Sequence, residues 1–387
     1  MIEIIDKKKC CGCAACVQVC PQKCISFEED ERGFSYPFVN KVACIGCGLC
    51  ERVCPEININ EASKPIKCFA SINNDSTIRK ESSSGGVFSL IAEKVISEGG
   101  VVFGALFNNH WEIQHGYTET KEGLARFRGS KYVQSKTGET YQQVKSFLKQ
   151  GRMVLYSGTS CQIAGLKKFL RADFDNLITI DVVCHGVPSP LLWRKYLEYK
   201  SQQEIGSYLT DNITKISFRD KRKGWKRFGL SIKWNNGRYK NEVLSENLFL
   251  NAFLKNLSLR PSCACCVSKE GKAGSDISLA DYWGIGRKHR DMDDDKGTSL
   301  VLVNTEKGLN LFASLNCLKK ETAYQEAFDN NPSIEKSVVF NENTEKFWNT
   351  YQNNGWYGVQ QLLKEMRPNL LIRTKNIIIN YVYRKLY

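Results

Sequence analysis

The sequence lacks three features that would place a protein in a membrane, on the secretory route or on nucleic acid. No apolar run in its 387 residues approaches the ~20 residues that a membrane span requires. Residues 1–9 form a short, charged segment without an apolar core, so we expect no secretion signal. No recognised nucleic-acid-binding motif accompanies the formal charge of +14, so we expect no nucleic-acid partner. Together these absences predict a cytoplasmic protein.

What the sequence has in excess is cysteine, with 17 residues. A reducing cytoplasm keeps thiols free, so this number indicates metal binding or catalysis rather than disulfides. Two runs share the pattern C-x-x-C-x-x-C-x-x-x-C-P. The first run contains Cys10, Cys13, Cys16 and Cys20, and the second contains Cys44, Cys47, Cys50 and Cys54.

This pattern is the ligand run of two-cluster bacterial ferredoxins, in which the fourth cysteine of each run binds the other cluster. The predicted ligands of one 4Fe–4S cluster are therefore Cys10, Cys13, Cys16 and Cys54, and those of the second are Cys20, Cys44, Cys47 and Cys50. A zinc or disulfide module is the alternative, but zinc gives no reason for a crossed fourth cysteine followed by proline. We predict an α+β ferredoxin domain over residues 1–65, with a β-hairpin over residues 25–39.

Residues 66–150 are predicted to form the first part of an α/β body that binds a flavin. A turn rich in serine and glycine, residues 81–86, leads into a helical pattern from Val87. Such a turn presents backbone N–H groups that suit a phosphate, although a plain serine N-cap is the alternative. Residues 126–132 combine cations with aromatic rings, which suits an anionic ligand that stacks; a solvated loop is equally compatible.

Residues 151–310 are predicted to complete the body with a βαβ unit. Apolar strands over residues 153–157 and 177–183 flank a helix that begins near Cys161. The carboxyl ends of such strands share one sheet edge, so Cys161 and Cys184 should be neighbours. The helix N-terminus should also lower the pKa of the Cys161 thiol. With the later pair Cys263 and Cys266, these cysteines predict a third 4Fe–4S cluster; zinc and unrelated buried cysteines are the alternatives.

Two further stretches of the body carry charge and aromatic rings. Residues 218–228 contain six cations and three aromatic rings, among them Lys223 and Trp225, which could grip a flavin pyrophosphate or an acidic substrate. A charged hairpin tip in solvent is the alternative. Asp281 directly follows a predicted strand over residues 276–280, and with Lys131 and His185 it is a candidate catalytic residue.

Residues 311–387 are predicted to form a mostly helical C-terminal extension. Its tail, residues 367–387, contains five cations and no acid. One interpretation is a basic amphipathic helix in peripheral contact with a membrane surface. The other is docking onto the protein's own body or onto a partner.

Seven local sequences, in order, resemble one family, the beta subunits of coenzyme F-420 hydrogenases and dehydrogenases. They are residues 82–86, 129–132, 158–162, 184–190, 218–225, 261–266 and 276–285. The resemblance covers roughly residues 66–305 and implies FAD on an α/β scaffold, with a 4Fe–4S cluster nearby. It also implies flavin contacts for a set of residues, namely Ser83, Ser84, Gly85, Gly86 and Lys131. Ser160 departs from the family, where proline is common, and the extra Cys265 leaves open whether Cys265 or Cys266 is the ligand.

We therefore predict an iron–sulfur flavoprotein oxidoreductase. Electrons are expected to pass between a ferredoxin-like donor protein, the 4Fe–4S clusters and FAD, with hydride transfer to or from an organic acceptor. That acceptor would be deazaflavin-like or another small molecule, because the family is mixed in substrate. The alternative is a non-catalytic electron-relay subunit that docks on a larger redox or polysaccharide-modifying enzyme.

Overall fold

The computed structural model describes residues 1–367 of the chain. The basic tail that the sequence analysis singled out lies, from residue 368 onward, outside the described residues, so both interpretations of it stay predictions. Within residues 1–367, no helix is long and apolar enough to cross a membrane.

The described residues contain thirteen strands and twelve α-helices. The strands are β1 (Ile25–Glu29), β2 (Ser35–Val39), β3 (Lys67–Asn73), β4 (Val101–Phe107), β5 (Ile113–Thr118), β6 (Val154–Thr159), β7 (Leu177–Val182), β8 (Ile213–Asp220), β9 (Gly229–Trp234), β10 (Tyr239–Val243), β11 (Ile277–Asp281), β12 (Ser299–Val303) and β13 (Cys317–Thr322). The helices are α1 (Ala15–Val19), α2 (Leu49–Arg52), α3 (Ser76–Glu81), α4 (Val87–Ser97), α5 (Thr140–Lys149), α6 (Ser160–Leu170), α7 (Pro190–Ile205), α8 (Leu248–Leu254), α9 (Ile285–Lys288), α10 (Glu306–Ala313), α11 (Tyr324–Asp329) and α12 (Thr344–Glu365).

A mixed sheet of eight strands forms the centre of the body, in the order β13-β3-β12-β11-β7-β6-β4-β5. The inner strands β4, β6, β7 and β11 are parallel to one another, and the remaining pairs are antiparallel. The unit β6–α6–β7 confirms the predicted βαβ crossover. Strands buried on both faces read as continuous apolar runs, and all five residues of β12 are buried. Strand β13 extends this sheet, although the sequence analysis assigned its residues to the helical extension.

The two faces of the sheet are covered by different helices, as the alternation of side chains along a strand requires. On β4, Val101 and Phe103 point to the side of α5 and α6, where they join one apolar cluster. Val102 and Leu106 point to the opposite side and pack with residues of α4 and α10. Helix α6, which carries Cys161, therefore lies on the face of the sheet to which Val101 and Phe103 point.

A second layer of the body is built around a three-stranded antiparallel sheet in the order β10-β9-β8. It packs with α7, α8 and α12 through buried aromatic rings such as Trp193, Trp234 and Trp356. The residues rich in cations that follow Phe218 form the connection between β8 and β9. This layer thus holds that connection against the end of β11.

The N-terminal cysteine-rich region docks on the α5 and α6 side of the large sheet. Its hairpin β1–β2 is antiparallel, which confirms the predicted hairpin. The Tyr141 backbone N–H donates to Gln18 Oε1 at 2.9 Å, and Thr137 Oγ1 donates to the Cys13 carbonyl at 3.1 Å. A Cβ added at Gly165 of α6 would lie 2.8 Å from both Cβ and Sγ of Cys13, so only glycine allows this approach.

The predicted architecture is confirmed in its main parts. An α+β cysteine-rich domain precedes an α/β body with a βαβ unit, and most of the described residues after 320 are helical or in turns. The difference lies in β13, which pairs with β3 over six residues. Pairing between strands so far apart in sequence depends on the tertiary arrangement, which local patterns do not report.

We expect the substitution Gly165→Ala to destabilise the protein by about 1–3 kcal/mol, because the new methyl group must displace Cys13 from a close-packed contact. The measurement is the melting temperature of the purified holoprotein under anaerobic conditions. Lys168→Ala, on the same helix, is the control and should stay within about 0.5 kcal/mol of wild type. A Gly165→Ala protein that melts like the control would contradict the tight contact.

Candidate redox centre

One cavity in the N-terminal region is lined by cysteines of both runs. Cys20 of the first run lies there with Cys44, Cys47 and Cys50 of the second. The cavity is partly open to solvent. Cys47 is exposed, so this group of thiols stands nearest to the surface.

The other four cysteines of the two runs form a second, more buried group. Cys16 lies within electrostatic range of Cys10 and Cys54, and Cys13 lies within range of Cys16 and Cys54. Burial raises the pKa of the Cys54 thiol, and burial also raises the pKa of Cys16. The protein alone therefore holds these thiols protonated, and a bound cationic centre would be needed to keep them together as thiolates.

Four cysteines of the body form a third group at the carboxyl edge of the parallel strands. Cys161 opens α6 directly after β6, and Cys184 follows the end of β7 by two residues. Cys184 lies within electrostatic range of Cys161 and Cys266. Cys263 lies within range of the same three thiols. The βαβ unit thus brings together the cysteines that were expected to be neighbours.

Cys265 and Cys266 differ in their surroundings. Cys266 faces Cys161 and the rest of the third group, whereas Cys265 is exposed and its Sγ donates to the Lys8 carbonyl at 3.4 Å. Cys265 therefore points toward the N-terminal region, away from the other thiols of the third group. The geometry favours Cys266 as the fourth thiol of the group.

Burial also dominates the electrostatics of the third group. It raises the pKa of the Cys184 thiol to about 12 and that of Cys266 to about 11. Within residues 1–367, no group of three or more His, Cys, Asp or Glu side chains is arranged to hold one metal ion.

The expectation of a lowered pKa for Cys161 is wrong. The interaction of its thiol with Cys11, together with burial, raises the pKa of Cys161 well above its usual value. Cys11 also interacts with Cys13, so its thiol lies between the second and third groups. Cys24 lines the exposed cavity, 3.4 Å from Cys20 between the two Sγ atoms. Both cysteines outside the ligand pattern are buried beside the others.

The turn before α4 is held by the protein's own hydrogen bonds. Ser83 Oγ accepts from the Ser130 backbone N–H at 2.6 Å, and Ser84 Oγ donates to the Thr298 carbonyl at 2.7 Å. The N-cap of α4 is Gly86, with φ of 85°, and no side chain caps the helix within the described part of the chain. The serine N-cap alternative is therefore wrong, and the first N–H groups of α4 have no side-chain acceptor.

Gly85 shows why this turn requires glycine. A Cβ at Gly85 would lie 2.3 Å from the Ser71 carbonyl oxygen and 2.7 Å from the Ser299 nitrogen. Both are backbone atoms of sheet strands and cannot move aside. The turn is thus pressed against β3 and β12, which positions the start of α4.

A buried arginine, which was not selected individually from the six cations of residues 218–228, organises the loops around this turn. Arg219, 5% exposed, forms an ion pair with Asp281 at 2.9 Å and donates to the Ser83 carbonyl at 3.1 Å. Its guanidinium also lies 3.7 Å from the centre of the Phe228 ring. Its Nε is buried without a partner among the described residues. A cation within the otherwise half-apolar strand β8 was the signal that could have found it.

The other residues of the β8–β9 connection have unequal surroundings. Trp225, 1% exposed, donates to Asp281 Oδ1 at 2.9 Å and stacks on Trp283 at 4.7 Å. Lys223 is exposed. Lys221, which sequence reasoning did not select, donates to the Ser84 carbonyl at 3.2 Å, and burial lowers its pKa to about 8.

The three candidate catalytic side chains do not converge on one point through direct contacts. Asp281 is occupied by Arg219 and Trp225. Lys131 Nζ donates to the Gly129 carbonyl at 3.1 Å, and burial lowers its pKa to about 7. His185 lies next to Cys184, with Nε2 2.6 Å from Asn256 Oδ1, and burial lowers its pKa.

Cysteine groups of this kind on a βαβ body define the class: an iron–sulfur redox protein. Residues 9–57 match the model of a 4Fe-4S dicluster domain, which confirms the predicted two-cluster domain. Residues 151–325 match the model of the C-terminal part of the coenzyme F420 hydrogenase/dehydrogenase beta subunit. This match to a family of oxidoreductase subunits confirms the resemblance inferred from seven motifs.

Among solved structures, the chain is similar to one in the xenon-derivatised F420-reducing [NiFe] hydrogenase complex from Methanosarcina barkeri. The sequence identity is 16%, the TM-score is 0.47, and the alignment covers 76% of this chain and 94% of that chain. No curated protein sequence matches the chain significantly.

Asp281→Asn should destabilise the protein by about 3–5 kcal/mol, because it leaves the buried Arg219 guanidinium without its counter-charge. The readout is again the anaerobic melting temperature. Asp291→Asn removes one partner of an exposed ion pair with Lys320 and should leave the melting temperature close to that of wild type. Equal melting temperatures for the two variants would show that the Arg219–Asp281 pair does not support the fold.

Proposed function

We propose that this protein is an iron–sulfur flavoprotein oxidoreductase that exchanges electrons with a ferredoxin-like protein and reduces or oxidises a small organic molecule. The observation that carries the proposal is the position of the third cysteine group. It lies beside the second group, and Cys11 interacts with Cys13 of one and Cys161 of the other. Redox centres held in these groups would be continuous from the N-terminal domain into the body.

The proposed cluster ligands fall into three sets that follow the geometry of the thiols. The exposed set is Cys20, Cys44, Cys47 and Cys50, the buried N-terminal set is Cys10, Cys13, Cys16 and Cys54, and the set of the body is Cys161, Cys184, Cys263 and Cys266. Bound clusters supply one-electron transfer, and a flavin exchanges two single electrons for a hydride. The chain's own part is to space these sites, bury two of them and leave Cys47 near solvent.

The proposed flavin site lies around the turn before α4. Its supports are the uncapped start of α4, the glycines Gly85 and Gly86 pressed onto the sheet, and the nearby cations. Anions are stabilised at helix N-termini, where N–H groups are free and the dipole is positive. Ser83, Ser84 and Lys131 remain proposed contacts of FAD. The proposal also retains Lys223 and Trp225 and adds Arg219 and Lys221, which hold the carbonyls of Ser83 and Ser84.

The acceptor side is proposed from the surroundings of Lys131. With a pKa of about 7, Nζ of Lys131 holds or releases a proton near neutral pH, which suits a group that assists hydride transfer. Asp281 is better explained as a positioning residue, since it fixes Arg219 and Trp225. His185, which is adjacent to Cys184, remains a proposed catalytic residue. The substrate class is a small hydride acceptor, deazaflavin-like or otherwise.

Anaerobically purified protein is expected to contain about twelve irons and one FAD per chain. Cys263→Ser should remove about four irons, because it opens the third site, while Cys265→Ser should leave the iron content unchanged. Iron analysis and the optical spectrum measure both. Loss of about four irons in Cys265→Ser would assign the ligand role to Cys265 in place of Cys266. Eight irons without flavin in the wild type would show that the protein is an electron carrier only.

Catalysis and simple relay are separated by turnover. The isolated protein, reduced by ferredoxin or dithionite, should pass hydride to an oxidised deazaflavin or another small acceptor at many equivalents per flavin. A relay subunit would stop after its clusters and flavin are reduced, until a partner enzyme is added. The control is the Cys263→Ser variant, which should retain reducible N-terminal clusters but lose turnover.

A further inference from the structure

A buried guanidinium joins the N-terminal domain to the loop that carries Cys263. Arg260 is 1% exposed and immediately precedes the short 3-10 helix Pro261–Cys265. Its Nε donates to the Cys10 carbonyl at 2.7 Å, and its Nη2 lies 3.5 Å from Cys10 Sγ. Further donations reach the Ser35 carbonyl at 3.0 Å and Gln134 Oε1 at 2.9 Å.

Within residues 1–367, no carboxylate forms an ion pair with this charge. The four polar partners of Arg260 are two carbonyls, one amide oxygen and one sulfur. Its guanidinium lies 4.3 Å from the centre of the Tyr36 ring. Glu56 is within electrostatic range but forms no salt bridge with it. A buried charge normally requires a counter-charge, so the missing anion must be sought at Cys10.

The exposed cysteine group has no buried cation of this kind among the described residues. The Met1 ammonium lies within electrostatic range of Cys44 and Cys50, but it is paired with Glu51 at 2.9 Å. Arg52 donates to the Cys47 carbonyl at 2.8 Å, but this contact is exposed and water screens the charge. A cation in a buried, low-dielectric position acts on a nearby redox centre much more strongly than a solvated one. Reduction adds one negative charge to a cluster, so a buried cation stabilises the reduced state and raises its potential.

We propose that Arg260 is a positioning residue that raises the reduction potential of the cluster at Cys10, Cys13, Cys16 and Cys54 above that of the exposed cluster. With clusters bound at both sites, an electron that arrives near Cys47 would be held preferentially at the buried site, beside Arg260. This inference rests on the cluster assignment of the proposed function. It adds a direction, because a buried cation lies beside only one of two sites that share the same ligand pattern.

The test is an EPR-monitored redox titration of the full-length holoprotein. Cys10→Ser and Cys47→Ser, each of which perturbs one cluster, assign the signals. In wild type, the buried cluster should be reduced at the higher potential. In Arg260→Gln, the electron distribution between the two clusters should shift at least tenfold toward the exposed one, which is about 59 mV for a one-electron couple.

Two further variants separate charge from structure. Arg260→Lys keeps the charge and should lower the potential of the buried cluster less than Arg260→Gln does. Arg52→Gln, the matched control at the exposed cluster, should leave both potentials near wild type. Absence of the two N-terminal clusters from the iron count would defeat the proposed function itself. If both clusters are present, two results would overturn the role of Arg260 while leaving the proposed function intact. In one, the exposed cluster has the higher potential in wild type; in the other, Arg260→Gln leaves both potentials unchanged.

Discussion

The close contact between the N-terminal domain and α6 is the constraint on which the arrangement of this protein depends. Gly165 leaves no side chain between α6 and Cys13, and the first residues of the same helix include Cys161. One helix therefore both receives the cysteine-rich domain and begins the third cysteine group. In a cofactor protein the chain contributes position and electrostatic environment, and here one packing contact determines both.

Burial of so many thiols has an electrostatic consequence. Thiols in the second and third groups are held in the protonated form by burial, so thiolate ligation there needs cations within the fold. Arg260 lies at Cys10, and Lys269, 7% exposed, donates to the Cys184 carbonyl. Part of the basic excess of the composition is thus placed inside the molecule. Both cations lie beside cysteines of these groups.

The loops at the other side of the body are held by a buried ion pair and by glycine. Arg219 and Asp281 join β8 to β11, although these strands belong to different sheets. Arg219 also donates to the Ser83 carbonyl, and the Trp225 indole donates to Asp281. These contacts hold the loops against one another, while the Arg219 Nε is left without a partner among the described residues. Asp281 is therefore occupied by Arg219 and Trp225, whereas a catalytic acid needs a carboxyl group that is free to reach the substrate.

Features that depend on short spacing along the chain follow from the sequence alone. The two cysteine runs, the hairpin between them and the βαβ unit with Cys161 and Cys184 at its ends could all be predicted, because ligand spacing and side-chain periodicity are local properties. Only the tertiary structure placed Cys11 between two thiol groups and paired β13 with β3. The same holds for Arg260 at Cys10 and for Arg219 at the turn before α4. These contacts depend on the folding of distant segments onto one another. Burial then strengthens the interactions of the charges and raises the pKa of the thiols.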